Sequence, residues 1–174
     1  CINQFVYNKT KEICKANVLA PKVSICVNTN KITKEKLQEI FIQEGMIVED
    51  GHISKNSIYI TKTKNIVDSE AFKNGYFHIM DESSMILVEI LNPNENDTII
   101  DVCSAPGGKS FYSSYIMNNK GTIFSRDIHS HKIALMQDTI KRLDIKNINL
   151  QLKDATQFYK EDEETADKLI VDVP

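Results

Sequence analysis

Asp101-Val102-Cys103-Ser104-Ala105-Pro106-Gly107-Gly108-Lys109 is the stretch that decides how this chain folds. Ahead of it, Thr98 to Val102 is apolar and β-branched, the pattern of a buried strand. Behind it, Lys109 to Met117 has the composition to start a helix. A strand, a glycine turn and a helix N-terminus together bring backbone N–H groups close to a ligand. Gly107 and Gly108 carry no Cβ to obstruct that approach. Pro106 stiffens the turn and pushes Ala105 toward an extended conformation. The turn does not have the G-x-G-x-x-G spelling of dinucleotide-binding loops. Without a ligand it reads as a plain strand-turn-helix.

Downstream, strands alternate with helices. Strands are expected at Thr122 to Ser125, Ile148 to Leu152 and Lys168 to Val171, and a helix at Ser130 to Leu143. This is the start of a doubly wound parallel sheet, whose ligand lies beyond the carboxyl ends of the strands. Acidic residues recur near those ends: Asp101, Asp127, Asp154 and Asp172. Turns favour Asp in any case. Asp127, however, follows the glycine loop by about twenty residues, where a carboxylate can take ribose hydroxyls. Asp101 lies inside its strand and is placed to hold the loop backbone. The acidic run Glu161 to Glu164 reads as a solvated surface turn.

Upstream, Val23, Ile25 and Val27 alternate with Ser24 and Cys26, a half-buried strand. Thr33 is positioned to cap a helix over Lys34 to Glu44, with Leu37, Ile40 and Phe41 on one face and Gly45 at its end. Ile47-Val48 and Ser57 to Ile60 read as short strands, giving a small α+β unit, ferredoxin-like or RRM-like. The first 20 residues read as a helical lead-in. The polar stretch Lys62 to Gly75 divides this unit, residues 1–75, from a second one, residues 76–174. That unit opens with a strand at Tyr76 to Met80 and a helix at Glu82 to Leu91, capped by Asp81.

The length of 174 residues suits one domain or two small ones. No apolar run approaches the ~20 residues of a membrane span, and the first residues do not read as a secretory signal. A cytoplasmic piece of a longer protein is expected. Cys1, Cys14, Cys26 and Cys103 form no C-x-x-C pair, and His129 and His131 complete no zinc pattern, so no metal is expected. Scattered thiols suit a reducing compartment. Residues 1–75 carry 11 lysines against 8 acidic side chains, a balance of +3. Residues 76–174 carry 10 basic against 16 acidic, a balance of −6. A mild basic excess in the first unit is compatible with phosphate contact but too weak to establish it.

The spelling D-x-C-x-A-P-G-G-K resembles motif I of the Nop/Sun family of RNA cytosine-5 methyltransferases, which use S-adenosylmethionine. Phe77-His78-Ile79-Met80-Asp81-Glu82-Ser83-Ser84 resembles the family's v-Q-D-e-s-S element. Cys26-Val27-Asn28-Thr29-Asn30-Lys31 resembles its r-x-N-t-x-k run, within a small RNA-associated subdomain at Pro21 to Gly45. Lys141-Arg142-Leu143 matches the end of a family helix, and Asp172-Val173-Pro174 the start of D-x-P-C. The bacterial 16S rRNA enzymes of the Sun type fit best. The resemblance implies an α/β chain: a partial Rossmann-like S-adenosylmethionine methyltransferase core, preceded by the small α+β subdomain, with RNA as partner and no membrane.

It also implies cofactor contacts from Cys103, Ser104, Ala105, Pro106, Gly107, Gly108 and Lys109, and from Asp127, Asp154 and Asp172. Asp127 would take the ribose, Asp154 the adenine amino group and Asp172 the cationic side. Cys26 stands in place of the usual Arg, Met80 of Gln, Lys132 of a frequent Arg, and Asp144 of a glycine. The family's two catalytic cysteines, in D-x-P-C and a later T-C-S, are expected after Pro174, so no catalytic residue is assigned within the chain. Cys103 reads as an inert packing thiol. Two alternatives stand beside this reading. A ribose 2′-O-methyltransferase also uses A-P-G-G, though usually with an aromatic after Gly-Gly. The other is a non-catalytic RNA-binding module with a vestigial nucleotide pocket.

Overall fold

The computed structural model describes residues 6–18, 22–62 and 65–173. Cys1, Pro21 and Pro174 lie outside the described residues. The expected helical lead-in is the helix α1 (Tyr7–Val18). The first unit contains β1 (Val23–Val27), α2 (Lys34–Gln43), β2 (Ile47–Asp50), β3 (Ser57–Lys62), α3 (Glu70–Lys73) and β4 (Phe77–Ile79), whose four strands form one sheet. Its strand order is β2-β3-β1-β4, antiparallel throughout. With elements in the order βαββαβ, this is the ferredoxin-like arrangement. Thr33 caps α2 as expected, its side chain accepting from the Lys36 amide. Leu37 and Phe41 on α2 are fully buried against Ile25, Val27, Ile58 and Phe77. Each such side chain contributes roughly 1.5–3 kcal/mol.

The stretch from Lys62 to Gly75 is not the bare linker its polarity suggested. It holds a 3₁₀ turn (Ile66–Asp68) and α3, and it buries Ile66 and Ala71 in the first core. Nor does the first unit stop at Gly75, because β4 pairs with β1 and closes the first sheet. A three-residue strand after a glycine gave no sign of which sheet it joins.

The second unit contains α4 (Glu82–Leu91), β5 (Thr98–Asp101), α5 (Gly108–Ile116), β6 (Thr122–Asp127), α6 (Ser130–Leu143), β7 (Ile148–Leu152) and β8 (Lys168–Ile170). Its sheet is parallel, in the order β7-β6-β5-β8. Asp81 precedes α4 but makes no side-chain cap bond. Glu82 instead turns back into the first unit and accepts from the Ile53 and Ser54 amides, both at 2.8 Å, and from the Tyr59 hydroxyl at 2.8 Å. Glu161 to Glu164 is more than a solvated turn. Asp162 takes Arg126 bidentately, at 2.8 and 2.7 Å, with only 23% of the Asp162 side chain exposed.

The two units share a core. Cys26, on the face of β1 away from α2, is fully buried with Met80, Met85, Tyr112 and Tyr115. Asn28 donates to the carbonyls of Gly75 and Leu143, at 3.0 and 2.9 Å. Arg142 donates to the carbonyls of Phe72 and Phe77, at 2.7 and 3.1 Å, and lies 3.7 Å over the Phe72 ring. Gly75, at φ +69°, lies so close to the Arg142 carbonyl that no Cβ fits there. Among the described residues, no helix is long and apolar enough to cross a membrane.

Candidate active site

Of the clefts at the carboxyl ends of the parallel strands, where the fold predicts a ligand, two border the glycine loop. The larger, about 820 Å³, is lined by Cys103, Ala105, Asp127, His129, Lys132, Lys153, Asp154 and Asp172, among others. The smaller, about 280 Å³, is lined by Met80, Asp81, Asp101, Cys103 to Pro106, Gly108, Lys109 and Asp172, among others. Cys103, Ala105 and Asp172 border both clefts.

The glycine loop is held from behind. The Ser104 amide donates to the Arg126 carbonyl at 2.7 Å and its hydroxyl to the same oxygen at 3.0 Å, tying the loop to β6. The Ala105–Pro106 peptide is cis. Gly107 has φ +107°. A Cβ there would fall inside the Phe111 ring, and Gly107 lines neither cleft. Its lack of a side chain therefore serves packing of the loop on α5, not access for a ligand. Gly108 begins α5 and borders the smaller cleft, where a Cβ would meet Met80 at an ordinary 3.5 Å.

The acids fall into different environments. Asp127 ends β6, is 6% exposed, and accepts from the His129 amide at 2.9 Å. Lys132 stands 3.8 Å from its other oxygen. Asp154 follows β7 and accepts from the Thr156 amide and hydroxyl, at 2.9 and 2.8 Å, which hold its carboxyl below the usual range. Asp172 is exposed and paired with Lys109. His129 and His131 are exposed as expected, but their rings approach to 5.5 Å instead of facing different sides.

Cys103 is half-buried and borders both clefts, so it is not simply packing. Burial pushes its thiol up, and the Asp127 and Asp101 carboxylates push it further. That is the reverse of what activates a nucleophilic thiolate. Cys26, in the position resembling a family Arg, is buried in the core between units and so cannot meet an external strand. His78, in the element before α4, is buried, with Nδ1 3.1 Å from the Tyr115 hydroxyl. Burial and the Arg142 charge push it down to about 3, so it is a neutral ring in the core.

Asp101 ends β5 just ahead of the loop, with the Cys103 amide near enough to favour its ionised form. Its Oδ2 accepts from Ser110 at 2.7 Å, and Ser110 accepts from Ser125 at 2.7 Å. Burial raises it to about 6, against the opposing pull of Ser110 and Lys109.

The 16S rRNA methyltransferase RsmB/F family model matches residues 88–174, half of the chain. The chain belongs to the RsmB/F family of 16S rRNA methyltransferases. It is 33% identical over 169 residues to the probable ribosomal RNA small subunit methyltransferase B of Bacillus subtilis, covering 97% of this chain and 38% of that one. It is 35% identical over 113 residues to a tRNA (cytosine(72)-C(5))-methyltransferase of Pyrococcus horikoshii, covering 65% of this chain and 29% of the relative. The chain thus spans well under half the length of these relatives. The solved structure of PH0851 superposes with a TM-score of 0.90 at 28% identity, over 99% of this chain and 40% of that one. NSun6 from Pyrococcus horikoshii, solved with SFG, shares the fold with a TM-score of 0.87 at 22% identity, over 99% of this chain and 68% of that one.

Proposed function

We propose that these 174 residues form the cofactor-binding part of an S-adenosylmethionine-dependent RNA cytosine-5 methyltransferase acting on ribosomal RNA in the cytoplasm, with 16S rRNA as the substrate. One observation carries the reading: Asp127, Asp154 and Asp172 line a single cleft beside the D-x-C-x-A-P-G-G-K loop. Its volume suits a ligand of this size. Its acids suit a molecule with two ribose hydroxyls, an exocyclic amine and cationic groups. The resident cofactor supplies a methyl group bound to a cationic sulfur.

Asp127 is the ribose acceptor: it is buried, and the His129 amide fixes one of its oxygens. Asp154, held in its own turn by Thr156, faces the nucleoside. Lys109 holds Asp172 beside the point where the two clefts meet. Attack by cytosine carbon 5 requires a thiolate added at carbon 6, placed within reach of the base. None of the chain's four cysteines stands in a D-x-P-C or T-C-S motif. In this reading both catalytic thiols come from beyond these residues.

Asp127→Ala should weaken S-adenosylmethionine binding by about 1.5–3 kcal/mol, the scale of a hydrogen bond to a charged group. Calorimetry on the folded wild type and variant checks this, and equal affinities remove Asp127 from the site. Radiolabelled methyl transfer to unmodified 16S rRNA should give no methylcytosine with the 174-residue chain and should give it with a protein extended through both cysteine motifs. Methylcytosine formed by the short chain would overturn the assignment of the thiols.

A further inference from the structure

Behind the wall that carries Asp154 lies another cleft. Lys153, Asp154 and Ala155 border the larger cleft on one side. On the other they border a cleft of about 240 Å³, lined also by Val102, Arg126, Tyr159 and Asp162. The ladder from β7 to β6 ends at Leu152. Past it, a series of contacts leads to one side chain. The Asp154 amide donates to the Tyr159 hydroxyl at 3.1 Å, and the Asp162 amide to the Tyr159 carbonyl at 3.0 Å. The Lys153 ammonium lies 4.2 Å from the centre of the Tyr159 ring and 3.2 Å from Asp162. Both terminal nitrogens of Arg126 donate to Asp162, and its Nε donates to Gln151 at 2.8 Å. The Arg126 side chain is only 8% exposed. A bidentate pair of this kind fixes orientation as well as distance.

The same residue holds the opposite rim. The Arg126 carbonyl accepts from the amide and the hydroxyl of Ser104 in the glycine loop. Arg126 thus joins two sides of the larger cleft, the loop through its main chain and the segment after β7 through its guanidinium. Its side chain and that of Asp127, the next residue, point to opposite faces of β6, so one lines the far cleft and the other the larger one.

We infer that Arg126 and Asp162 are positioning residues, whose ion pair holds residues 153–159 so that the Asp154 carboxylate meets the exocyclic amine of adenine. Both line the far cleft and not the larger one, so they act through Asp154. This rests on the cofactor reading above and adds what sets the choice of base in the cofactor. A carboxylate on a turn discriminates only when its support holds it within about 0.5 Å of the productive position. The other charges around the pair are Lys153 and Glu161, which are bonded to each other, and Glu163.

The test uses two ligands that differ only at the edge of the base. S-adenosylhomocysteine has the amine, and S-inosylhomocysteine has an oxygen in its place. Calorimetry on the 174-residue chain should show the wild type preferring S-adenosylhomocysteine by about tenfold or more, the scale of a hydrogen bond to a charged group. Asp162→Asn keeps the shape of the side chain and loses its charge. It should cut the preference to about twofold or less, mainly by weakening S-adenosylhomocysteine. A pair that served stability alone would lower both affinities alike and keep their ratio. That result overturns the inference, as does a wild type with no preference. Wild-type protein that binds neither ligand overturns the cofactor reading itself, so the two failures are distinct. If Asp162→Asn does not fold, Arg126→Lys decides. It keeps a cation beside Asp162 without the planar fork, and should lower the preference by about threefold or more. An unchanged preference in Arg126→Lys overturns the inference.

Discussion

In the antiparallel sheet, the polar and thiol groups that a sequence reader marks, Cys26 and Asn28, point into the neighbouring unit and are used up there. In the parallel sheet, Asp101, Asp127 and the segments after β7 and β8 border open clefts. The difference follows from topology. Parallel strands send all their carboxyl ends to one edge, where loops diverge and leave room. The antiparallel sheet has α2 on one face and α4 against β1 on the other. RRM domains stack bases on the open face of such a sheet. Here Cys26 lies in the shared core, and Tyr59 on β3 donates to Glu82 of α4. Any RNA contact made by the first unit would therefore have to use its loops, helix α2 or sheet edges.

The sharpest way to break this contrast is to unlock the units. Arg142 anchors α6 to the carbonyls of Phe72 and Phe77 and stacks on Phe72. Arg142→Ala leaves two carbonyls without their charged donor and removes a cation–π contact. A loss of about 2–4 kcal/mol is expected. Arg142→Lys should recover only part of the loss, because an ammonium cannot stack flat on the Phe72 ring as the guanidinium does. Urea unfolding of both variants measures it. If the alanine variant unfolds like the wild type, the units are not held by this residue.

A smaller effect should come from Asp101, and it should depend on pH. The folded chain holds this carboxyl at about 6, above the ~3.9 of an unfolded Asp. The folded state therefore binds the extra proton between these values. Its stabilising share is fully present below about pH 4 and is lost as pH rises through about 6. Two pH units correspond to at most about 3 kcal/mol, and about 1–2 is expected after local relaxation. Asp101→Asn does not titrate, so its stability relative to wild type should improve from about pH 4.5 to 7.5. Unfolding curves of the two ligand-free proteins with equal pH dependence would show that Asp101 is not strained.

Much of the second unit was legible because its signals are local. The period of Ser130 to Leu143 gave that helix, and the β-branched run ending at Asp101 gave the strand. The A-P-G-G-K spelling marked the loop between them. What escaped was non-local. Nothing around Phe77 shows that it pairs with Val27 fifty residues earlier. Arg142 looks like the basic end of a helix until Phe72 and Phe77 are seen against it. Asp162 looks solvated in an acidic run until Arg126 reaches it. Gly107 and Gly108 read alike in sequence and differ only because Phe111 lies under the first. The candidate acids were found because strand ends can be counted. The unpaired oxygen of Asp101, its buried Oδ1, was not found, since hydrogen-bond satisfaction has no sequence signature.

The smallest expected effect, at Cys103, emerges when the two units are compared by their thiols. Cys26 is fully buried among apolar neighbours. Cys26→Ser places a hydroxyl in that core, with an expected cost of about 1–3 kcal/mol. Cys103 borders water-accessible clefts, so Cys103→Ser should change stability by less than about 0.5 kcal/mol. Labelling with a thiol reagent gives a second, independent ranking. Among the described cysteines, Cys14 is exposed and should react first. Cys103 should follow more slowly, because burial and the nearby Asp127 and Asp101 carboxylates hold it in the unreactive thiol form. Cys26, also pushed up by burial and by Glu89, should react only on unfolding. Native-state labelling of Cys26 at the Cys103 rate would mean that the units part readily. The first sheet's inner face would then be open to partners after all.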